Sequence, residues 1–294
     1  MSKHTNEHGV ARGPTRPAVR PHLEVVADGV HDGLAYRLET GRPLRVGRHL
    51  DLDVVVPDEA DSVSRLHAEV ELIPDGTVEV RDLDSRNGTF LDSERVIRAR
   101  VREGGRIQLG VDVKLRLTWL TDEEAAHHLA AFTDDLTGCS NRRRFKVDLH
   151  DADARATHLR QPLAMALLDV DRFGAFNKLH GYPCGDAVLR AVAARARETA
   201  GDRRFYRLGG EEFGVLLPGA RVDAAVELAE RLRAEVAEVE VAWEGQRLGV
   251  TASLGCACLT PDAAGRAWDL LRLADDGLRR AKAEGGDRVG LPAA

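Results

Sequence analysis

From His22 to about Leu120 the chain is a succession of short apolar stretches, many alternating with polar positions and all cut by turn residues. Residues 22–27, 35–38, 44–46, 54–56, 68–72, 78–81, 106–109 and 113–119 read as strands, and many short strands at this spacing predict a β-sandwich. Past about Asp134 the period changes. Helical patterns over 142–159, 186–199, 222–236 and 268–283 alternate with apolar strands over 163–171, 239–243 and 248–259, which predicts an α/β domain with helices packed on a sheet. Residues 203–208 and 213–217 form two further strands joined by a tight turn at Gly209-Gly210, a pair that supplies positive φ at little steric cost. Between the halves, Thr121 and Glu124 make a capping box for a short helix with Ala125, Leu129 and Phe132 at helical spacing.

Composition adds modest constraints. Residues 1–21 hold Pro14, Pro17 and Pro21, more basic than acidic residues and no apolar period, so a disordered tail is expected there, carrying Thr5 and Thr15. The remaining divisions are a β domain at 22–120, a linker helix at 121–133 and an α/β domain at 134–294. A net charge of -6 argues against a nucleic-acid partner. No stretch has the length of a membrane span or the apolar core of a secretory signal, so no membrane partner and a cytoplasmic location are expected. Cys139, Cys184, Cys256 and Cys258 show neither a disulfide framework nor zinc spacing.

Three loop clusters in the first half mix turn formers with phosphate-binding side chains: Gly47-Arg48, Ser64 to His67, and Asn87 to Thr89. Loops gather at the ends of a sandwich, so these can converge. With Leu109-Gly110 behind them, the clusters make residues 22–120 resemble a forkhead-associated (FHA) domain, a phosphothreonine reader. The resemblance implies that Arg48 and Ser64 hold the phosphate, Arg65 lies beside it, and Arg86 and Asn87 contact the backbone of the ligand peptide. A guanidinium fork and a hydroxyl suit a dianionic phosphate. Gly47 and His67 are expected to be structural. The phosphothreonine peptide is either the chain's own tail, through Thr5 or Thr15, or another protein.

In the second half, chemistry concentrates at Asp169-Val170-Asp171, where an apolar strand ends, and at Glu211-Glu212 after the hairpin turn. Adjacent carboxylates repel unless a cation sits between them. If the two strands are neighbours, Asp169 and a hairpin glutamate could share Mg²⁺ with a nucleotide triphosphate. Asn177 through Asp186 reads as a glycine-punctuated loop opening a helix, and an amide with a carboxylate suits a guanine edge.

Together with Asp134 to Phe145, Asp169 to Phe173, Arg207 to Phe213 and Ala281-Lys282, these stretches make residues 134 to about 291 resemble the GGDEF domain of diguanylate cyclases, in a variant reading Gly-Gly-Glu-Glu-Phe. That resemblance implies a palm-like sheet and a homodimer in which two GTP become cyclic di-GMP and two pyrophosphates. Asp169, the Val170 carbonyl and Glu211 would bind Mg²⁺, with Mn²⁺ as an alternative. Asn177 and Asp186 would read guanine, Lys282 would meet the phosphates, and Gly209 and Gly210 would let the backbone approach the nucleotide. Glu211 or Glu212 would help deprotonate the attacking hydroxyl. Departures from the family pattern are Gly174 and Gly286 in place of cations, Tyr182 in place of histidine, and Ala200 and Arg203 where a product-inhibition motif would stand. The alternative reading is therefore a degenerate domain that binds GTP or cyclic di-GMP as an adaptor, without turnover.

Overall fold

The computed structural model describes residues 19–26, 31–49, 52–56, 62–111, 113–201, 204–261 and 267–293. Thr5, Thr15 and Arg203 lie outside them. The chain forms two compact units, which divide between His127 and His128 except that residues 28–32 group with the second.

The first unit is built of β1 (Val19–Val26), β2 (Ala35–Arg37), β3 (Leu44–Gly47), β4 (Val54–Val55), β5 (Ala68–Leu72), β6 (Val78–Asp82), β7 (Thr89–Leu91), β8 (Glu94–Val96), β9 (Arg98–Val101), β10 (Arg106–Leu109) and β11 (Val113–Thr121). They make two sheets, in the orders β2-β1-β11-β10-β7-β8 and β4-β3-β5-β6-β9. Alternation does the sorting: Leu23, Val25, Ile107, Leu115 and Leu117 of one sheet and Val46, Val70 and Val80 of the other are fully buried.

Two expectations change here. Val19–Pro21, assigned to the tail, form the start of β1, with Val19 opposite Thr121 and Pro21 opposite Trp119. Pro21 is tolerated because pairing with β2 begins only at His22. The short strands β7, β8 and β9 were not anticipated.

The chain continues through α1 (Asp122–Ala130), which contains the division between the units. The capping box forms as expected: the Thr121 amide donates to Glu124 Oε2 at 2.8 Å and the Glu124 amide to Thr121 Oγ1 at 3.1 Å. The amphipathic face does not, since α1 buries no residue and Leu129 is 68% exposed.

The second unit comprises α2 (Arg142–Leu159), β12 (Leu163–Val170), α3 (Phe173–His180), α4 (Tyr182–Ala200), β13 (Phe205–Gly209), β14 (Glu212–Pro218), α5 (Val222–Ala237), β15 (Glu240–Trp243), β16 (Gln246–Gly249), β17 (Ala252–Leu259), α6 (Ala267–Ala283) and β18 (Val289–Gly290). Its main sheet has the order β13-β14-β12-β17-β18, with β15 and β16 forming a separate ribbon. The central strand β12 is buried throughout and feeds both faces. Ala164, Ala166, Leu168 and Val170 pack with residues of α4 and α5, whereas Leu163, Met165 and Leu167 pack with residues of α2 and α6.

Helix α6 lies against β17 at backbone distance. A Cβ at Gly255 would stand 2.1 Å from the Ala274 carbonyl oxygen and 2.3 Å from the Leu278 nitrogen, so only glycine fits. Gly277 and Gly290 meet in the same way, a Cβ on Gly277 falling 2.7 Å from the Gly290 oxygen.

The expected loop before Asp186 is instead two helices, α3 and α4, meeting at Gly181, whose φ of +83° suits glycine. The expected strand over 248–259 is divided, its first residues belonging to the β15–β16 ribbon and the rest to β17.

Candidate functional site

In the first unit the three loop clusters converge. The Ser64 amide donates to His67 Nδ1 at 3.0 Å, and His67 Nε2 donates to the Gly88 carbonyl at 3.1 Å. His67 is fully buried and holds two loops together, as expected of a structural histidine. Gly47 is equally constrained, because a Cβ there would sit 2.3 Å from the Arg65 carbonyl oxygen. The Arg48 amide donates to the Ser64 carbonyl at 3.2 Å, and the Arg86 amide to Ser64 Oγ at 3.0 Å. Arg48, Ser64, Arg65 and Arg86 thereby line one cavity of about 560 Å³, together with the apolar Leu52, Val63 and Leu66. Asn87 does not line it: its side-chain amide donates to the Ser62 carbonyl at 2.7 Å, bracing the loop.

Asp82 supports this end of the sandwich from below, accepting from the hydroxyls of Ser85 at 2.5 Å and Thr89 at 2.6 Å. Burial pushes its carboxyl up, but those hydrogen bonds and the nearby His67 outweigh burial and hold it below the usual carboxylate range. Ser85 Oγ in turn accepts from the Gly88 amide at 3.0 Å.

In the second unit β12 and β14 pair antiparallel, with Asp169 directly opposite Glu212. The Val170 amide points at the Glu211 carbonyl, 3.4 Å away. Asp169, Val170, Glu211 and Glu212 are thus gathered at one end of the sheet. Asp169 is 6% exposed and lies 2.6 Å from Lys282 Nζ on α6. Burial pushes its carboxyl above the usual range, the Lys282 ammonium opposes this, and the charges of Glu211 and Glu212 add to it.

These oxygen donors fit a hard divalent cation held in part by a ligand. Among the described residues no three His, Cys, Asp or Glu side chains form a self-sufficient metal cluster. Two carboxylates and one carbonyl are the donor set that Mg²⁺ takes when phosphates complete its shell.

Asp171 does something different. Its carboxylate accepts from Thr251 Oγ1 at 2.7 Å, Ser253 Oγ at 2.6 Å and the Asp287 amide at 2.9 Å. It fastens the loop after α6 to the strand ends. Gly286 has a φ of +82°, and a Cβ there would approach Asp171 Oδ1 to 3.1 Å. Gly174 opens onto free space, with nothing within 4 Å of a built Cβ.

Asn177 on α3 meets α4 at Gly185, where a Cβ would fall 1.9 Å from Asn177 Oδ1. That oxygen is buried and has no hydrogen-bond partner among the described residues. Asp186 follows one residue later on α4, so the two helices bring the two expected guanine readers to one junction.

Sequence reasoning overlooked two positioning residues. Arg207 donates to the Gly210 carbonyl from Nη2 at 2.7 Å and Nε at 3.0 Å, and from Nη1 to Asp134 Oδ1 at 2.9 Å. The turn carrying Gly209 and Gly210, the latter at φ +40°, is clamped to the segment before α2. Asp134 also accepts from the Thr137 hydroxyl at 2.6 Å. Burial pushes the Asp134 carboxyl up, but these bonds outweigh it and hold it below the usual range. The available signal was the Asp134–Thr137 spacing of a side-chain-closed turn.

The family model for the diguanylate cyclase GGDEF domain matches residues 131–288. The chain belongs to the GGDEF family. The model for the FHA domain matches residues 44–110, so an FHA module precedes the GGDEF domain. Among curated relatives, diguanylate cyclase DgcP of Pseudomonas aeruginosa is 38% identical over 160 residues, which cover 54% of this chain and 24% of DgcP. Diguanylate cyclase DgcM of Escherichia coli is 37% identical over 169 residues, covering 57% of this chain and 38% of DgcM. The chain therefore spans less than half the length of either relative. Among solved structures, the GGDEF domain of DgcB from Caulobacter crescentus in complex with c-di-GMP has a TM-score of 0.52 and 32% identity, covering 54% of this chain and 92% of that one. Diguanylate cyclase SiaD from Pseudomonas aeruginosa, in complex with its activator SiaC, gives 0.52 and 33%, covering 57% of this chain and 64% of SiaD. Among the described residues no helix is long and apolar enough to cross a membrane.

Proposed function

We propose that the chain is a diguanylate cyclase whose activity is set by phosphothreonine recognition at its FHA domain. The observation that carries the first part is the pairing of β12 with β14, which brings Asp169 to Glu211 and Glu212, with Lys282 2.6 Å from Asp169. Asp169, the Val170 carbonyl and Glu211 hold Mg²⁺, or Mn²⁺, in this reading. The ion, when bound, neutralises phosphate charge.

The chain's own groups supply the rest. Asn177 and Asp186 select guanine, and the turn at Gly209-Gly210 admits the nucleotide close to the backbone. Lys282 moves part of its charge from Asp169 to the phosphates. Two chains face each other, each holding one GTP. The 3′-oxygen of one nucleotide bonds to the α-phosphorus of the other, the bond to the β-phosphate breaks, and pyrophosphate leaves. A carboxylate of the Glu211–Glu212 pair receives the hydroxyl proton. Repeating the step closes the ring and releases the second pyrophosphate. Positioning and charge neutralisation are enough to drive such a transfer.

A second reading, a GTP or cyclic di-GMP adaptor without turnover, is favoured by a thin complement of cations. Gly174 and Gly286 offer no side chain to phosphate, and the positive φ of Gly286 disfavours any other residue there. Incubating the full chain with GTP and Mg²⁺ and chromatographing the products separates the two. Cyclic di-GMP is expected. Nucleotide binding by a dimeric sample without product, whether or not it is phosphorylated, would establish the adaptor instead.

At the FHA domain, Arg48, Ser64 and Arg65 hold the phosphate in this proposal, and Arg86 and Asn87 meet the ligand backbone. The ligand is the chain's own tail through Thr5 or Thr15, gaining effective concentration from its tether, or another protein. An Arg48→Ala chain is expected to lose binding to a phosphothreonine peptide while basal cyclase activity persists. A Thr5→Ala, Thr15→Ala chain that still responds to phosphorylation would assign the ligand to another protein. The proposed setting is the cytoplasm, where the GTP pool lies.

A further inference from the structure

The GGDEF domain has a cavity on the α2 and α6 side of the sheet, against the glutamate hairpin. Its volume is about 380 Å³, within the range of small-molecule sites. Leu167, Leu208, Phe145, Leu271 and Leu278 give it an apolar floor, and Trp268, half-exposed at the start of α6, stands at its edge. Neither Asn177, Asp186 nor Lys282 lines it.

The charged groups around it are unbalanced. Arg142 and Lys146 lie one turn apart on α2, both exposed, and neither has a hydrogen bond or ion pair among the described residues. Arg272 is engaged with Asp276 at 3.5 Å and Asp269 at 3.9 Å, and Asp275 with Arg279 at 3.1 Å. Among the described residues the unpaired cations that line the cavity are therefore Arg142 and Lys146, both on the α2 rim, with the carboxylate of Glu212 on the hairpin side. An apolar floor with two unpaired cations on one rim fits an amphipathic anion and disfavours both a neutral hydrocarbon and a cation.

We propose that this cleft is a second ligand site, taking a small aromatic carboxylate or sulfonate whose ring lies against Leu208, Leu271 and Trp268 and whose anion sits between Arg142 and Lys146. Leu208 and Glu212 belong to the two strands of the hairpin that carries Gly209 to Glu211. A ligand in the cleft therefore touches that hairpin from the side opposite the α3–α4 junction and can bias its position.

The probe is 1-anilinonaphthalene-8-sulfonate, titrated into the full chain and read by energy transfer from tryptophan. Saturable binding at one probe per chain is expected, with loss of most of the transfer in Trp268→Phe. Arg142→Ala with Lys146→Ala, both solvent-facing changes that leave the floor intact, should weaken binding about tenfold or more, as should replacing the probe by neutral N-phenyl-1-naphthylamine. Equal affinity for the double variant or for the neutral probe would overturn the proposal. So would stoichiometric displacement of the probe by a non-hydrolysable GTP analogue, because the cleft would then be an extension of the nucleotide site.

Discussion

Lys282 Nζ lies 2.6 Å from Asp169 Oδ1, so the helix after the last long strand neutralises the buried carboxylate at the end of the first. The same ammonium is the one that the proposed function offers to the phosphates. Lys282→Met should lower cyclic di-GMP formation about a hundredfold, the scale on which removing one preorganised electrostatic contact acts. Initial rates at saturating GTP and Mg²⁺ check this, and an unchanged rate would separate Lys282 from the nucleotide.

Gly185 is a more selective probe. An alanine Cβ would stand 1.9 Å from Asn177 Oδ1 and force the amide away from the α3–α4 junction. Gly185→Ala should weaken GTP binding about tenfold, the equivalent of one lost hydrogen bond of about 1.4 kcal/mol. Calorimetric titration with GTP and ATP checks it. Equal weakening for both nucleotides would point to a general packing defect.

Arg207 spans the Gly210 carbonyl and Asp134 with a single planar group. A lysine cannot make the same fork. Arg207→Lys is expected to cost about 1–3 kcal/mol of GGDEF-domain stability by leaving these acceptors short of a donor. Product formation should fall with it as the turn loosens. Denaturant midpoints paired with rates test the link, and a stable variant with normal turnover would break it.

The FHA domain should show a pH signature at Asp82. Its carboxyl is held below the usual carboxylate range in the folded state, so the stability it contributes is fully present above that range and is lost as pH falls through it. Asp82→Asn should flatten the acid limb of sandwich unfolding below about pH 5. At neutral pH it should cost about 1–3 kcal/mol. Amide exchange of the β10 and β11 protons against pH, for both chains, is the measurement.

Much of this architecture is legible in the sequence where capping and period agree. The expected helix over 142–159 has the bounds of α2 because Asn141 caps its start, accepting from the Arg144 amide, and Arg160 ends it in a left-handed conformation. Strand β12 was equally clear, being continuously apolar. By contrast, β8 and β9 are mostly exposed and rich in Glu and Arg, so no apolar alternation announces them. Helix α3 was missed because it is short, has no side-chain cap, and starts after Arg172 at a φ of +53°. At the site, residue types were readable but their partners were not. That Asp169 faces Glu212 depends on a pairing across more than forty residues of intervening chain, and that Asp171 serves the loop at Asp287 depends on the place of α6. Strand alternation puts Asp169 and Asp171 on one side, but it cannot distinguish a ligand-facing carboxylate from one already satisfied by two hydroxyls and an amide.

The glycine seam beneath α6 has a further implication for control. Gly255 against Ala274 and Leu278, and Gly277 against Gly290, hold the helix backbone at contact distance, so it cannot press closer or slide along the sheet without steric collision. The backbone that carries Lys282 is therefore held in register with the sheet. On the proposed function, a signal from the FHA domain has little to gain by moving that helix. Its economical lever, on the same proposal, is the encounter of two halves: how often, and in what mutual orientation, one GTP-loaded domain meets its twin.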